Sequence, residues 1–257
     1  MDRILRAGNA PEGTTWVALY QTGSIMHGVH LPPEQGGVDD LDWLLIGIPP
    51  VSHALGFYDW EGGAHASFTF GGARNDVTTY SLRKFGRLLA RGNPNVVATL
   101  WSDSDRMATR AFLAGRVELR QAVLSKQLGI AAAGYADGQI KRMRNGSRNG
   151  YMGERRAQML EAHGYDPKNA AHAVRIMRMG REAMTNAWLT VNRAGLDADE
   201  LLAIKRGDLS LDDVVALIEA EAKALRHAID VSKLPERANC DAVSRWLVQA
   251  HMAVFGR

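Results

Sequence analysis

The sequence predicts an α+β protein, with a mixed-sheet unit over residues 1–104 followed by a mainly helical unit over residues 105–257. Three observations point there. Short apolar runs bounded by glycine and proline fill the first hundred residues. After about Ser102 the strand signals stop and helical periodicity takes over. With 46% hydrophobic residues in 257, the chain can bury the core of one large domain or two modest ones.

Taken in order, Trp16 to Tyr20 reads as a short apolar strand that ends at a Gly23-Ser24 turn. Leu41 to Ile48 is nearly continuously apolar, the pattern of a central strand, and Pro49-Pro50 stops it. Gly62-Gly63 and Gly71-Gly72 bracket a third strand, His65 to Phe70. Asp76 to Tyr80, rich in β-branched residues, is the fourth. Ser81 caps a helix that carries Leu82, Phe85, Leu88 and Leu89 and ends near Gly92, and Asn93-Pro94 caps the next. Beyond, helices are expected over residues 105–114, 117–143, 151–163, 168–190, 199–206, 210–227 and 241–254, with a polar break at 146–150.

The charge balance excludes little. A net charge of +3 permits an anionic partner without requiring one. The single cysteine, Cys240, leaves no internal disulfide framework and suits a reducing compartment. The first residues, Met1 to Arg6, have no signal-peptide pattern, and no apolar run approaches the roughly 18 residues of a membrane span. The expectation is a soluble, cytoplasmic protein with no membrane partner.

The chemistry concentrates between Gln21 and Ile48. Residues two apart in a strand share a face, so Asp40 and Asp42 project together at the mouth of an apolar run. Two adjacent carboxylates repel unless a cation lies between them, which suggests a divalent metal. A third acid would hold a second metal and draw a proton from an attacking hydroxyl; Asp76, which opens a later strand, is the candidate. Two ions about 3.5–4 Å apart stabilise both the entering and leaving oxygens of a displacement at phosphorus. Gly23 lets the backbone approach a phosphate and Ser24 offers its hydroxyl. Each piece alone also suits a plain turn or a solvated pair.

Together, the Gly-Ser turn, the Asp-x-Asp before an apolar strand and the later Asp resemble the DNA polymerase beta superfamily of nucleotidyltransferases. Three further blocks are similar to a nucleotidyltransferase family associated with RNA repair. They are Asp76 to Phe85 with Leu88 to Asn95, then Gly164 to Arg175, then Leu201 to Ser210, and with the first they span roughly Trp16 to Leu217. The resemblance implies a palm-like mixed sheet, Mg²⁺ dependence with Mn²⁺ as a substitute, and transfer of a nucleoside monophosphate from an NTP. It implies that Gly23 and Ser24 contact the triphosphate and that Asp40, Asp42 and Asp76 hold metal. The gap from Ser24 to Asp40 is longer than expected, and Asp39 stands where a small residue usually precedes the first acid.

Cations support the reading. Arg83 and Lys84, just past the third acid, could neutralise triphosphate or form a solvated face. Lys168, His172 and Arg175 stand at i, i+4 and i+7, one helical stripe, and with the resemblance they are expected to contact nucleotide. Lys141, Arg142, Arg144, Arg148, Arg155 and Arg156, with Tyr151 among them, form a basic segment suited to an RNA backbone and an end base, or to a surface loop. The acceptor implied is an RNA 3′ end, tRNA-like. Nucleotidylation of a protein partner, an Asp-x-Asp glycosyltransferase, and a non-catalytic RNA- or protein-binding module are the alternatives. Release of pyrophosphate separates the first reading from the glycosyltransferase.

Overall fold

The computed structural model of the chain describes residues 1–35, 40–145 and 154–256. The first elements are helix α1 (Asp2–Ala7), strand β1 (Thr15–Gln21), helix α2 (Gly23–Met26), strand β2 (Leu41–Ile48), helix α3 (Val51–Ala54), and strands β3 (Gly62–Phe70) and β4 (Ala73–Ser81). Helices α4 (Leu82–Ala90) and α5 (Pro94–Ala98), strand β5 (Asp105–Ala108) and helices α6 (Arg110–Leu113) and α7 (Arg116–Val123) follow. The rest is helical: α8 (Lys126–Asn145), α9 (Glu154–His163), α10 (Pro167–Asn186), α11 (Ala198–Arg206), α12 (Leu211–Val231) and α13 (Cys240–Phe255). The α+β class is therefore observed.

The strands form one mixed sheet in the order β3-β4-β2-β1-β5. Only β2 and β4 are parallel; the other pairs are antiparallel. Central β2 is buried from Leu44 to Ile48, which is why it reads as an unbroken apolar run. In β4 burial alternates: Asn75, Val77, Thr79 and Ser81 are covered, whereas Arg74, Asp76, Thr78 and Tyr80 are more open. Val77, Leu45 and Leu19 pack with Ile4 of α1 on one face. On the other face Tyr20 meets Phe112, which packs with Phe85 and Trp246 at ring separations of 5.5–6.3 Å. Each such aromatic pair contributes roughly 0.5–1.5 kcal/mol beyond area burial.

The chain divides into two compact units. The first comprises Met1–Met26, Asp40–Val123 and Arg237–Arg257; the second comprises His27–Asp39 and Leu124–Glu236. Helix α13 thus belongs with the sheet, held by Trp246, whose indole N–H donates to the Phe112 carbonyl at 3.2 Å. In the second unit α10 is the axis, buried along most of its length and packed by α8, α9, α11 and α12. Alanines and glycine on α10 let neighbours approach: a Cβ on Gly180 would lie 2.9 Å from Ala132 of α8.

Two helices expected from periodicity differ. Residues 105–108 pair with β1 as β5, with Asp105 opposite Tyr20 and Ala108 opposite Ala18, because an open strand edge there outweighs weak helical preference. The helix expected over 117–143 breaks into α7 and α8. The amides of Lys126 and Gln127 donate to the carbonyls of Pro235 and Glu236, a distant partner that periodicity does not register. The two expected caps form, the Ser81 hydroxyl accepting from the Lys84 amide and Asn93 from Asn95 and Val96; Asp166 also caps α10, accepting from the Asn169 amide.

Candidate active site

The sheet gathers the acids by register. Asp42 of β2 lies directly opposite Asp76 of parallel β4, so both side chains leave the same face. Ser67 of β3 lies opposite Asp76 on its other side. On the β1 side the Thr22 amide donates to the Asp42 carbonyl at 2.8 Å, which brings the Gly23-Ser24 turn against Asp42. The result is one polar row across three strands and the turn that follows β1: Ser67, Asp76, Asp42, Thr22-Gly23.

Gly23 is required twice at that spot. Its φ of +61° is a left-handed conformation that side chains disfavour. A Cβ there would also sit 2.8 Å from the Asp42 carboxyl carbon. Ser24 follows in α2, half-buried. Asp40 immediately precedes β2 and is half-buried two residues from Asp42. Asp39 lies outside the described residues.

The Asp76 carboxylate accepts from the Ser67 hydroxyl at 2.6 Å and from Arg74 Nε at 3.1 Å, and His65 Nε2 is 3.9 Å away. Arg74 thus supplies positive charge beside an acid pair that would otherwise repel. Ser67, Arg74 and His65 were not among the residues that sequence reasoning selected. Their signal is the alternation of polar residues at 65, 67 and 69 in β3, and at 74 and 76 in β4, which puts them on the acid row. Among the described residues no three His, Cys, Asp or Glu side chains converge as a metal cage. The donor chemistry of paired carboxylate oxygens is nonetheless that of a hard divalent cation.

Arg83 and Lys84 have other partners. Arg83 is 3.1 Å from Asp59 and 3.6 Å from Glu61, in the connection from α3 to β3. Lys84 donates to the Gly62 carbonyl at 3.3 Å and lies 4.9 Å over the Tyr80 ring, on the Asp76 face of β4.

The remaining cations belong to the helical unit. Lys168, His172 and Arg175 lie along α10, with Lys168 half-buried and Arg175 only 6% exposed. Arg175 donates from Nη1 to His27 Nε2 at 2.6 Å, and burial brings its pKa down to about 9. His172 Nε2 is shielded from solvent and has no hydrogen-bond partner. Burial, and then the charges of Arg175, Lys168, Lys205 and Arg142, hold the His172 pKa well below the ordinary value near 6.5. Lys141 and Arg142 are exposed on the last turns of α8. Arg144 and Arg155 sit in α8 and α9, but their side chains, with that of Arg156, lie outside what is described; Arg148 and Tyr151 lie outside the described residues altogether.

Across residues 9–249 the chain matches the model of the RNA repair pathway DNA polymerase beta family, RlaP. The chain belongs to that family. RlaP is a DNA polymerase beta-type nucleotidyltransferase family, so the acid row lies in a chain of transferase ancestry. No curated protein matches the chain. Among solved structures, a nucleotidyltransferase-like protein from Exiguobacterium sibiricum 255-15 is similar over 84% of this chain and 69% of its own, at 13% identity and a TM-score of 0.31. No helix among the described residues of this RlaP chain is long and apolar enough to cross a membrane.

Proposed function

We propose that the chain transfers a nucleoside monophosphate from an NTP to an acceptor hydroxyl, and that the acceptor is an RNA 3′ end. The observation that supports this most is the in-register Asp42–Asp76 pair with Gly23 packed against Asp42. Family membership supports the chemistry, and RNA repair supports the acceptor.

In the reaction the acceptor oxygen bonds to the α-phosphorus. The bond from that phosphorus to the β-phosphate oxygen breaks, and pyrophosphate leaves. The hydroxyl proton passes to the Asp76 carboxylate, which Ser67 and Arg74 orient. Asp40, Asp42 and Asp76 would hold Mg²⁺, or Mn²⁺ in its place, which when bound supplies Lewis-acid stabilisation of the entering and leaving oxygens. The Gly23 backbone and Ser24 take phosphate oxygens; Lys168, His172 and Arg175 contact the nucleotide, and Lys141 and Arg142 meet RNA backbone. Arg83 and Lys84 would join only by leaving Asp59, Glu61 and the Gly62 carbonyl. Exposed, free Cys240 suits a reducing cytoplasm.

The test is incubation of the protein with each of four α-labelled NTPs, Mg²⁺ and a total RNA pool. Label should enter RNA at its 3′ end with release of pyrophosphate, and Asp42→Asn should abolish it. Label on protein would overturn the RNA acceptor, and nucleoside diphosphate as the released product would overturn nucleotidyl transfer.

A further inference from the structure

A strip of open surface leads away from the acid row along β3 and β4. Asp76, Thr78 and Tyr80 share the more open face of β4, and His65 and Gly62 of β3 lie opposite Thr78 and Tyr80. Lys84 of α4 reaches over the far end of the strip. Its Nζ lies 4.9 Å from the Tyr80 ring centroid and donates to the Gly62 carbonyl at 3.3 Å. The bare backbone of β3 makes room for it, since a Cβ on Gly63 would sit 2.6 Å from Nζ. Among the described residues no carboxylate pairs with Lys84, whereas Arg83 and Arg87 of the same helix are answered by Asp59 and Glu61. Those ion pairs hold the segment before β3 against α4. From that segment Phe57 and Tyr58 stand in solvent, 97% and 62% exposed, with ring centroids 6.0 Å apart. His53 lies 5.4 Å from the Tyr58 ring.

Adjacent aromatic rings left this open to water mark a contact surface. The strip says what meets them. One end is Asp76, the carboxylate placed to take a proton from an acceptor hydroxyl. The floor is His65, Thr78 and the Tyr80 ring, polar and aromatic groups rather than aliphatic ones. The charge above it is an ammonium that keeps two donors after the Gly62 carbonyl takes one. A phosphodiester brings one negative charge to that ammonium, and unpaired bases bring flat faces to the rings. A protein surface in search of apolar burial would find the rings but no aliphatic floor. We propose that the strip is the acceptor track. A single-stranded RNA 3′ end lies along it, with its terminal hydroxyl at Asp76, a backbone phosphate at Lys84, and bases stacked on Phe57 and Tyr58. Asp76 and Tyr80 are about 13 Å apart along β4, so the rings take bases upstream of the terminal nucleotide. Bases stacked within a duplex offer no free faces, and the track therefore selects unpaired ends. Only the role of Asp76 rests on the nucleotidyl-transfer reading; the stacking surface and the phosphate contact do not.

The probe is a fluorescein-labelled single-stranded oligoadenylate with a free 3′ hydroxyl. It is titrated with the full-length protein, without NTP or metal, and followed by anisotropy. The single strand should bind, and the same strand annealed to oligouridylate as a blunt duplex should bind about tenfold more weakly. Phe57→Ala and Tyr58→Ala should each weaken binding about tenfold. Phe70→Ala, which removes an exposed ring on the other face of β3, should leave it unchanged. Lys84→Gln should lower the slope of log affinity against log salt by about one, a change that altered packing alone would not make. Ultraviolet crosslinking followed by peptide mass spectrometry should find the adduct on Phe57 or Tyr58. Because binding is read without NTP, the two readings fail separately. Binding that the ring variants lose, in a protein that labels no RNA, keeps the surface and ends the transfer reading. Strand and duplex bound alike, crosslinks on other residues only, or RNA labelled by the ring variants as efficiently as by wild type overturns the proposal. So does a dimer that Phe57→Ala dissociates while oligoadenylate does not bind, which would give the rings to a second copy of the chain.

Discussion

Two arginines on α10, Arg175 and Arg178, lie less than one turn apart and live in opposite surroundings. Arg178 meets Asp197 at 2.9 Å, Glu200 at 2.7 Å and Glu221 at 2.8 Å. Burial alone would lower its pKa, but the bonds from Glu200, Glu221 and Asp197 more than reverse that and raise it. Nearby Arg193 repeats the pattern with Glu182 and Asp197. Burial pushes the Asp197 carboxyl up, yet the hydrogen bonds from Arg193 and Arg178 hold it below the usual range. Arg175 has a neutral histidine instead of a carboxylate, and its pKa falls to about 9. Among the described residues no carboxylate is hydrogen-bonded to Arg175, although Asp197 acts on it from farther off. Shared carboxylates make Arg178 a centre of the packing of α10, α11 and α12, whereas Arg175 leans on a neutral ring and a thioether.

The largest effect expected concerns the acid row. Asp42→Asn should lower NMP incorporation by about three orders of magnitude or more, since it removes charge where a metal and triphosphate meet. Its Tm should stay close to wild type, because the amide keeps the shape of the carboxylate. The arginine pair comes next and tests the comparison directly. Arg178→Met should destabilise the protein by roughly 3–5 kcal/mol, read by urea unfolding, because it removes the buried arginine that Asp197, Glu200 and Glu221 share and leaves only Arg193 and Arg181 to answer Asp197 and Glu221. Arg175→Met, which removes a buried charge that no carboxylate among the described residues hydrogen-bonds, should cost less, about 1 kcal/mol. Equal losses in the two variants would erase the distinction.

The sheet side of the site was far more legible in the sequence than the helical side. The acid row follows from period-two alternation: Asp42 stands at the start of apolar β2, Asp76 lies on the open face of β4, and parallel pairing brings them side by side. Gly23-Ser24 sits at the end of β1, next to β2, so a local turn suffices to reach Asp42. In the helical unit the decisive contacts are distant. His27 and Arg175 are 148 residues apart, and Lys205 and the Val29 carbonyl 176. A stripe at i, i+4 and i+7 shows that Lys168, His172 and Arg175 share a face of α10, but not that the face is interior or that His27 and Lys205 complete it. The same distance effect hid β5, whose partner β1 lies some 85 residues earlier and outweighs local helical preference.

A smaller effect, on the acid side, isolates geometry from charge. Gly23→Ala should destabilise by about 1–2 kcal/mol, from the left-handed φ of +61° and the contact with Asp42. It should also depress incorporation, because the carboxylate must shift to admit the methyl group. Full activity in Gly23→Ala would mean that Asp42 is not held by the turn.

The smallest effect belongs to the two histidines, and its sign follows from their burial. Burial, then the charge of Arg175, holds the His27 pKa well below 6.5; burial and four cations do the same for His172. Below pH 6.5 the unfolded chain therefore binds protons that the folded chain does not. Folding stability falls as pH drops through that window and is fully present above it. Two such groups lower stability by about 1 kcal/mol between pH 7 and pH 6, and by more with each further unit. His172→Gln should remove about half of that slope in urea titrations at several pH values. A slope unmoved by the substitution would place the titrating groups elsewhere.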